Sequence, residues 1–214
     1  MNALSVRLCV FAKLPAPGTA KTRLIPALGE QGAARVAEAL LQQCLALCEE
    51  VKGSAELELW LTPPPSDSRW QTLIDLDRFT AVSQGEGDLG GRMQRAANGG
   101  PVILIGSDCP SLARDDIDWA MSCLCQGDAA MIPAQDGGYV LLGLPEATPG
   151  VFDNVDWSTS RVAEQTRRRL RAAGLVWHER PALSDVDVID DLSRQPAAFL
   201  RRCHLPDYGE SSHD

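Results

Sequence analysis

The run "PVILIG" at residues 101–106 constrains the fold more than any other stretch of this sequence. It is too short for a helix and carries no polar side chain, so it reads as a strand with both faces buried. Such a strand needs helices above and below it, and the flanking pattern supplies them. A strand is expected over 5–12, a long amphipathic helix over 30–51 (Val36, Leu40, Cys44, Leu47 and Val51 on one face), and a strand over 55–65 running into three prolines. Weaker strand character follows at Phe79–Val82, then a helix over 88–97 closed by Gly99-Gly100 and, past the central run, a helix over 114–125. "AAMIPA" and "YVLLGL" flank Asp136-Gly137-Gly138 as strand, turn, strand. A helix capped by Ser158 or Thr159 reaches Ala173, the strand "LVWHE" comes next, and a last helix covers 190–203. Alternating strands and helices predict an α/β fold with a mostly parallel sheet. No repeat or linker divides the chain, so a single domain is expected over 1–204, with a disordered tail over 205–214.

Composition narrows the class. A formal charge of −9 and a pI near 4.8 argue against nucleic acid, whose backbone demands a basic surface. The apolar start at Val6–Ala12 is too short, and too closely flanked by the cations Arg7 and Lys13, for a signal peptide or a membrane span. The seven cysteines are scattered and lack zinc-ligand spacing. They read as reduced core residues of a cytoplasmic protein.

Against this acidic background, "FAKLPAPGTAKTRL" at 11–24 stands out. The chain has three lysines, Lys13, Lys21 and Lys52, and two of them fall in this loop with Arg23 and no carboxylate. Lysine is a compact charge that can follow a phosphate. The loop is not a P-loop, because Ala20 stands where that motif needs the glycine before Lys-Thr. "GEGDLG" at 85–90 matches the dinucleotide fingerprint in outline. Glu86 and Asp88 would nevertheless place two carboxylates where a pyrophosphate must sit, and the preceding "FTAVSQ" is too polar for a buried first strand, so NAD binding is rejected.

Two acidic stretches complete the pattern. "IGSDCPSL" puts Asp108 just past the carboxyl end of the most apolar strand, where open α/β sheets bind ligands. Asp108 there can hold Mg²⁺ or Mn²⁺ against a diphosphate, or cap the following turn. In "SDVDVIDDL", Asp185 and Asp187 lie in an extended segment, while Asp190 and Asp191 suit the start of the last helix. Asp187 is the acid left free to ligate a metal.

Taken in order, "FAKLPAPGTAKTRL", "GDLGGRM", "LIGSDCPSL", "DGGYVLLGL", "VDWST" and "DVDVIDDL" resemble a bacterial family of GT-A-type nucleotide-diphospho-sugar transferases. Some of its members are linked to radical-SAM/selenium-domain or arsenosugar gene contexts. More distantly the motifs are similar to those of molybdopterin and phospholactate guanylyltransferases. The resemblance covers about residues 5–200. It implies a seven-stranded mixed, mostly parallel sheet with helices on both faces, and an enzyme that takes Mg²⁺ or Mn²⁺. It implies that Lys13, Lys21 and Arg23 contact nucleotide phosphates and that Gly85, Gly87, Gly90 and Arg92 border the base and ribose. Asp108 and Asp187 would hold the metal, and Asp136 would lie beside the sugar or acceptor. Two departures stand out: Val188 and Ile189 follow Asp187 where related nucleotidyltransferases have Thr and Pro, and "SDCP" is not a full D-x-D.

These readings predict a metal-dependent glycosyltransferase using a nucleoside-diphosphate sugar and a small-molecule acceptor, with Lys21 and Asp136 as catalytic residues. A nucleotidyltransferase releasing pyrophosphate from an NTP is the alternative, and a nucleotide-binding module without catalysis the third. The arginines at 167–171 read as solvated surface, Trp119 and Trp177 as packing, and His178 and His204 carry no catalytic signature.

Overall fold

In the computed structural model, which describes residues 5–205, the strand–helix alternation becomes one seven-stranded sheet. Its strands are β1 (Arg7–Lys13), β2 (Glu56–Thr62), β3 (Thr80–Ser83), β4 (Val102–Gly106), β5 (Ala129–Pro133), β6 (Tyr139–Leu144) and β7 (Trp177–Glu179). The order across the sheet is β3-β2-β1-β4-β6-β5-β7. Strand β6 alone runs against its neighbours β4 and β5; the β1–β2, β1–β4, β2–β3 and β5–β7 pairs are parallel. The sheet is therefore mixed and mostly parallel, and the "PVILIG" run is its central strand.

Alternation along β4 explains why that run contains no polar residue. Ile103 and Ile105 face a core built with Leu41, Cys44, Leu45 and Cys48 of α1 (Ile25–Glu50) and Ile117 and Leu124 of α3 (Arg114–Cys125). Val102 and Leu104 face the opposite core, with Met93 and Ala96 of α2 (Leu89–Ala97) and Ala163 and Leu170 of α4 (Val162–Ala172). A polar side chain on either face would be buried without water. Among the described residues no helix is long and apolar enough to cross a membrane.

The single helix expected over 190–203 is two short ones, α5 (Ile189–Ser193) and α6 (Ala197–Arg202). Pro196 separates them, since it has no N–H to continue the ladder. Both pack on the start of α1: Leu24, Val36 and Leu40 meet Val186, Leu192, Phe199 and Leu200 in a third core. Of the tail expected over 205–214, Leu205 packs against this core and 206–214 lie outside the described residues. Arg167 also differs from expectation: its guanidinium makes a two-pronged contact with Glu179, at 2.7 and 2.8 Å.

Ile103 is fully buried, so Ile103→Ala is expected to lower unfolding free energy by about 2–5 kcal/mol, the usual cost of such a truncation. Val176→Ala, at a side chain 59% exposed, is expected to stay within about 0.5 kcal/mol of the parent. Urea unfolding midpoints measure both, and equal effects would contradict the placement of β4 at the centre.

Candidate functional site

Because β1 and β4 are parallel neighbours, the loops after Lys13 and Gly106 leave the same edge of the sheet. Strand order reverses between them, which is where open α/β sheets form a crevice. Here the crevice is a cavity of about 670 Å³.

The cationic loop forms one wall. Part of its backbone is satisfied from within: the N–H of Ala16 donates to Leu14 O, and those of Thr19 and Ala20 to Ala16 O. Pro15 and Pro17 have no N–H to offer. The loop presents the side chains of Lys13, Lys21 and Arg23 to the cavity. Lys13 Nζ donates to Thr19 O at 2.7 Å. Lys21 adopts φ 47°, ψ 48°, the left-handed region that a non-glycine residue occupies at a cost of about 1–3 kcal/mol. From there its side chain, only 10% exposed, brings Nζ to 2.8 Å from Asp108 Oδ2 and 3.9 Å from Asp187 Oδ1. Arg23 Nη1 lies 2.7 Å from Asp187 Oδ2.

The acidic wall comes from two distant parts of the chain. Asp108 follows β4 directly. Asp187 is carried by the segment after β7, which pairs through Leu183 with Ala134 and then donates the Val186 N–H to Asp108 O at 3.0 Å. Val186 is fully buried in the third core. In an extended segment, burying Val186 turns Asp185 and Asp187 together towards the opposite side, and both line the cavity. Burial first, then the charge of Asp136, holds the Asp185 carboxyl above the usual carboxylate range. Asp191 accepts from the N–H groups of Asp187 and Val188, the part expected of an acid at a helix start. Among the described residues the Asp108 carboxylate receives Lys21 and the Ser107 hydroxyl, not a turn N–H.

The remaining walls hold Arg92 and Asp136. Gln84, just past β3, is 5% exposed. Its amide nitrogen donates to Ala12 O and Trp60 O at 3.1 and 2.8 Å, which leaves its oxygen to accept from Arg92 Nη1 at 3.2 Å. Asp136 accepts the N–H of Gly138 at 2.8 Å in the turn before β6. Gly137 there has φ +94°, and a Cβ on it would come 2.2 Å from Ser160 O. Tyr139 donates to Met93 Sδ at 3.4 Å, and burial pushes its phenol well above the usual range, so it stays neutral.

The cavity thus brings together Lys13, Lys21, Arg23 and Arg92 with Asp108, Asp136 and Asp187. The three glycines expected at the base and ribose do not line it. Gly85 and Gly87 shape the exposed turn before α2, where Gly87 O accepts from Arg92 Nε. Gly90 is needed for close approach, since a Cβ there would lie 2.5 Å from Trp157 Nε1. Asp185 and Gln84 also line the cavity, and the sequence reading gave neither a role in the site. The D-V-D alternation was the available signal for Asp185, and for Gln84 there was none.

Among the described residues no three His, Cys, Asp or Glu side chains are grouped to hold a metal by themselves. Two carboxylates with a cation already between them are still the donor set Mg²⁺ or Mn²⁺ takes when phosphate oxygens supply further ligands.

The fold has counterparts among solved structures. A protein from Desulfovibrio desulfuricans G20, provisionally named a nucleotide-diphospho-sugar transferase, is 29% identical with a TM-score of 0.83, covering 95% of this chain and 94% of its own. A cytidylyltransferase from Leptospira borgpetersenii is 13% identical with a TM-score of 0.57, over 89% of this chain and 84% of its own. Glucosyl-3-phosphoglycerate synthase from Mycobacterium tuberculosis, solved with Mn²⁺, UDP and glucosyl-3-phosphoglycerate, is 13% identical with a TM-score of 0.51, over 96% and 82%. The last two share the fold alone. No curated protein matches the chain significantly. The fold is that of nucleotide-diphospho-sugar transferases, and a family model matching residues 35–159 shows that the chain belongs to the bacterial family described as "Uncharacterized protein conserved in bacteria (DUF2064)".

Proposed function

We propose that this protein is a glycosyltransferase that takes a nucleoside-diphosphate sugar with Mg²⁺ or Mn²⁺ and passes the sugar to a small-molecule acceptor. The observation that carries the reading is Lys21, held in a strained backbone conformation between Asp108 and Asp187 at the carboxyl edge of β1 and β4. A lysine and two carboxylates in a crevice of this size suit a diphosphate and its metal. The relative from Desulfovibrio, provisionally named for that substrate class, supports the same reading, as does the Mn²⁺ and UDP complex of the mycobacterial synthase.

Lys13 and Lys21 would bind the diphosphate oxygens, with Arg23 at the outer edge. Arg92, oriented by Gln84 and by Gly87 O, would meet the ribose or base. Asp108 and Asp187 would hold the metal, which supplies positive charge to the departing diphosphate. The bond from the sugar's anomeric carbon to the terminal phosphate oxygen breaks, and its electron pair leaves with the nucleoside diphosphate. The acceptor hydroxyl oxygen bonds to that carbon and passes its proton to Asp136. Lys21, its side chain only 10% exposed, stabilises the charge gathering on the leaving phosphate. Pro15 and Pro17 remove two backbone donors from the loop, which favours a diphosphate over a longer phosphate chain.

Lys21→Ala is expected to weaken binding of UDP or GDP in the presence of Mn²⁺ by about 1.5–3 kcal/mol, the worth of a hydrogen bond to a charged group. Asp108→Asn should weaken metal-dependent nucleotide binding sharply while moving the ligand-free thermal midpoint little. Calorimetry and thermal unfolding read both; unchanged binding in both variants would remove these residues from the site.

A panel of NDP-sugars and NTPs incubated with Mn²⁺, with NDP and pyrophosphate assayed separately, tests the reaction class. Slow NDP release from one sugar donor, with water in place of the acceptor, is expected, and EDTA should stop it. Pyrophosphate release from an NTP with a phosphorylated acceptor, and no NDP from any donor, would replace the reading with nucleotidyl transfer. Nucleotide binding with no turnover in either assay would favour a binding module.

A further inference from the structure

Lys21 occupies a position that the proposed chemistry gives to something else. Its ammonium stands 2.8 Å from Asp108 and 3.9 Å from Asp187, the two carboxylates assigned to the metal. The lysine side chain is 10% exposed, whereas the Asp108 and Asp187 side chains are 46% and 37% exposed. The cation is therefore shielded, and the acids remain open on their cavity side. The left-handed backbone at Lys21 directs the side chain inwards, and the N–H of Leu24 bonds back to Lys21 O at 2.8 Å, fixing the turn. Arg23 draws on the second oxygen of Asp187.

We infer that Lys21 serves as an internal counter-cation, so that divalent metal and nucleotide bind as a mutually dependent pair. This inference rests on the assignment of Asp108 and Asp187 to the metal. In the nucleotide-free protein, a divalent ion reaching the two carboxylates must displace an ammonium that already neutralises them. Leaving them without Lys21 costs nothing only when the ammonium has another anion to meet. A diphosphate in the cavity provides that anion. Lys21 then turns from carboxylate to phosphate, and Asp108 and Asp187 become free for the ion. No bond forms or breaks; one ion pair is exchanged for another. The reciprocal effect follows from linkage: metal on the acids drives Lys21 towards phosphate and tightens the nucleotide by the same factor. The exchange keeps the acids from collecting metal when no donor is present.

The test measures Mn²⁺ binding by electron paramagnetic resonance in intact protein, alone and with UDP, GDP, CDP or ADP. The variants are Lys21→Met, Lys21→Arg and Asp108→Asn. Lys21→Met keeps the buried stem and removes the charge, so it is expected to bind Mn²⁺ about tenfold more tightly than wild type when no nucleotide is present. Lys21→Arg retains a cation and should stay close to wild type. In wild type, one of the four nucleotides should raise Mn²⁺ affinity about tenfold beyond what Mn²⁺–nucleotide association in solution gives, and Lys21→Met should lose that gain. Mn²⁺ binding that is lost in Asp108→Asn yet no tighter in Lys21→Met than in wild type overturns the counter-cation role and leaves the metal assignment standing. Mn²⁺ binding unaffected by Asp108→Asn, or absent from every variant with every nucleotide, overturns both. The wild-type nucleotide dependence needs no variant to fold, and independence of Mn²⁺ and nucleotide there is equally decisive against the inference.

Discussion

The parallel pairing of β1 with β4, from Arg7 opposite Val102 to Phe11 opposite Gly106, is the contact on which the other features depend. It joins segments far apart in sequence and sends both of their carboxyl ends to one edge. Were the two strands antiparallel, Lys21 and Asp108 would leave opposite ends of the sheet. The pairing is sustained by apolar burial on both faces of β4, so the chemistry at the edge rests on side chains that take no part in it. Strand β6 runs the other way and therefore returns the Asp136 turn to that same edge.

Electrostatics then separates the site from the surface. The molecule is acidic overall, yet its crevice is lined by Lys13, Lys21, Arg23 and Arg92 as well as by acids. Four cations face four carboxylates there, Asp185 among them, so the crevice is less negative than the molecule as a whole. Partial burial makes the Lys21–Asp108 pair less screened by salt than a surface ion pair, though each partner gives up hydration to form it. Gln84 does for Arg92 what the left-handed turn does for Lys21: with both amide hydrogens committed to Ala12 O and Trp60 O, its oxygen has one direction left.

Much of this was legible in the sequence where the physical signal is local. "PVILIG" announces a doubly covered strand through continuous apolarity, and two of the three lysines fall before Leu24, in the loop that forms the cationic wall of the crevice. Asp108 was legible from its place after an apolar strand. What escaped depends on long-range approach. Gly90 belongs to a phosphate-like motif in sequence, but its missing Cβ makes room for Trp157. Gln84 is ordinary until β1 and β2 bring two carbonyls to it. Asp185 was hidden for another reason: its orientation follows from the burial of Val186, and an isolated valine between acids does not declare which side is the core. Pro196 was a local signal, and it divides the final helix as proline should.

The tie between Val186 and Asp108 has a consequence for the order in which the molecule becomes competent. Arg23 and Asp187 are 164 residues apart, and the strands lie between β1 and the acid-bearing segment. A ribosome therefore delivers the whole sheet before it delivers Asp185 and Asp187. The two cores that cover the sheet draw on residues already delivered, while the cationic loop still lacks Asp185 and Asp187 and the third core still lacks Val186, Leu192, Phe199 and Leu200. Completion of the crevice is coupled to the emergence of α5 and α6, whose packing on the start of α1 draws the segment into place. The last part of the sheet-bearing chain therefore supplies the rest of the third core and the last cavity acids together.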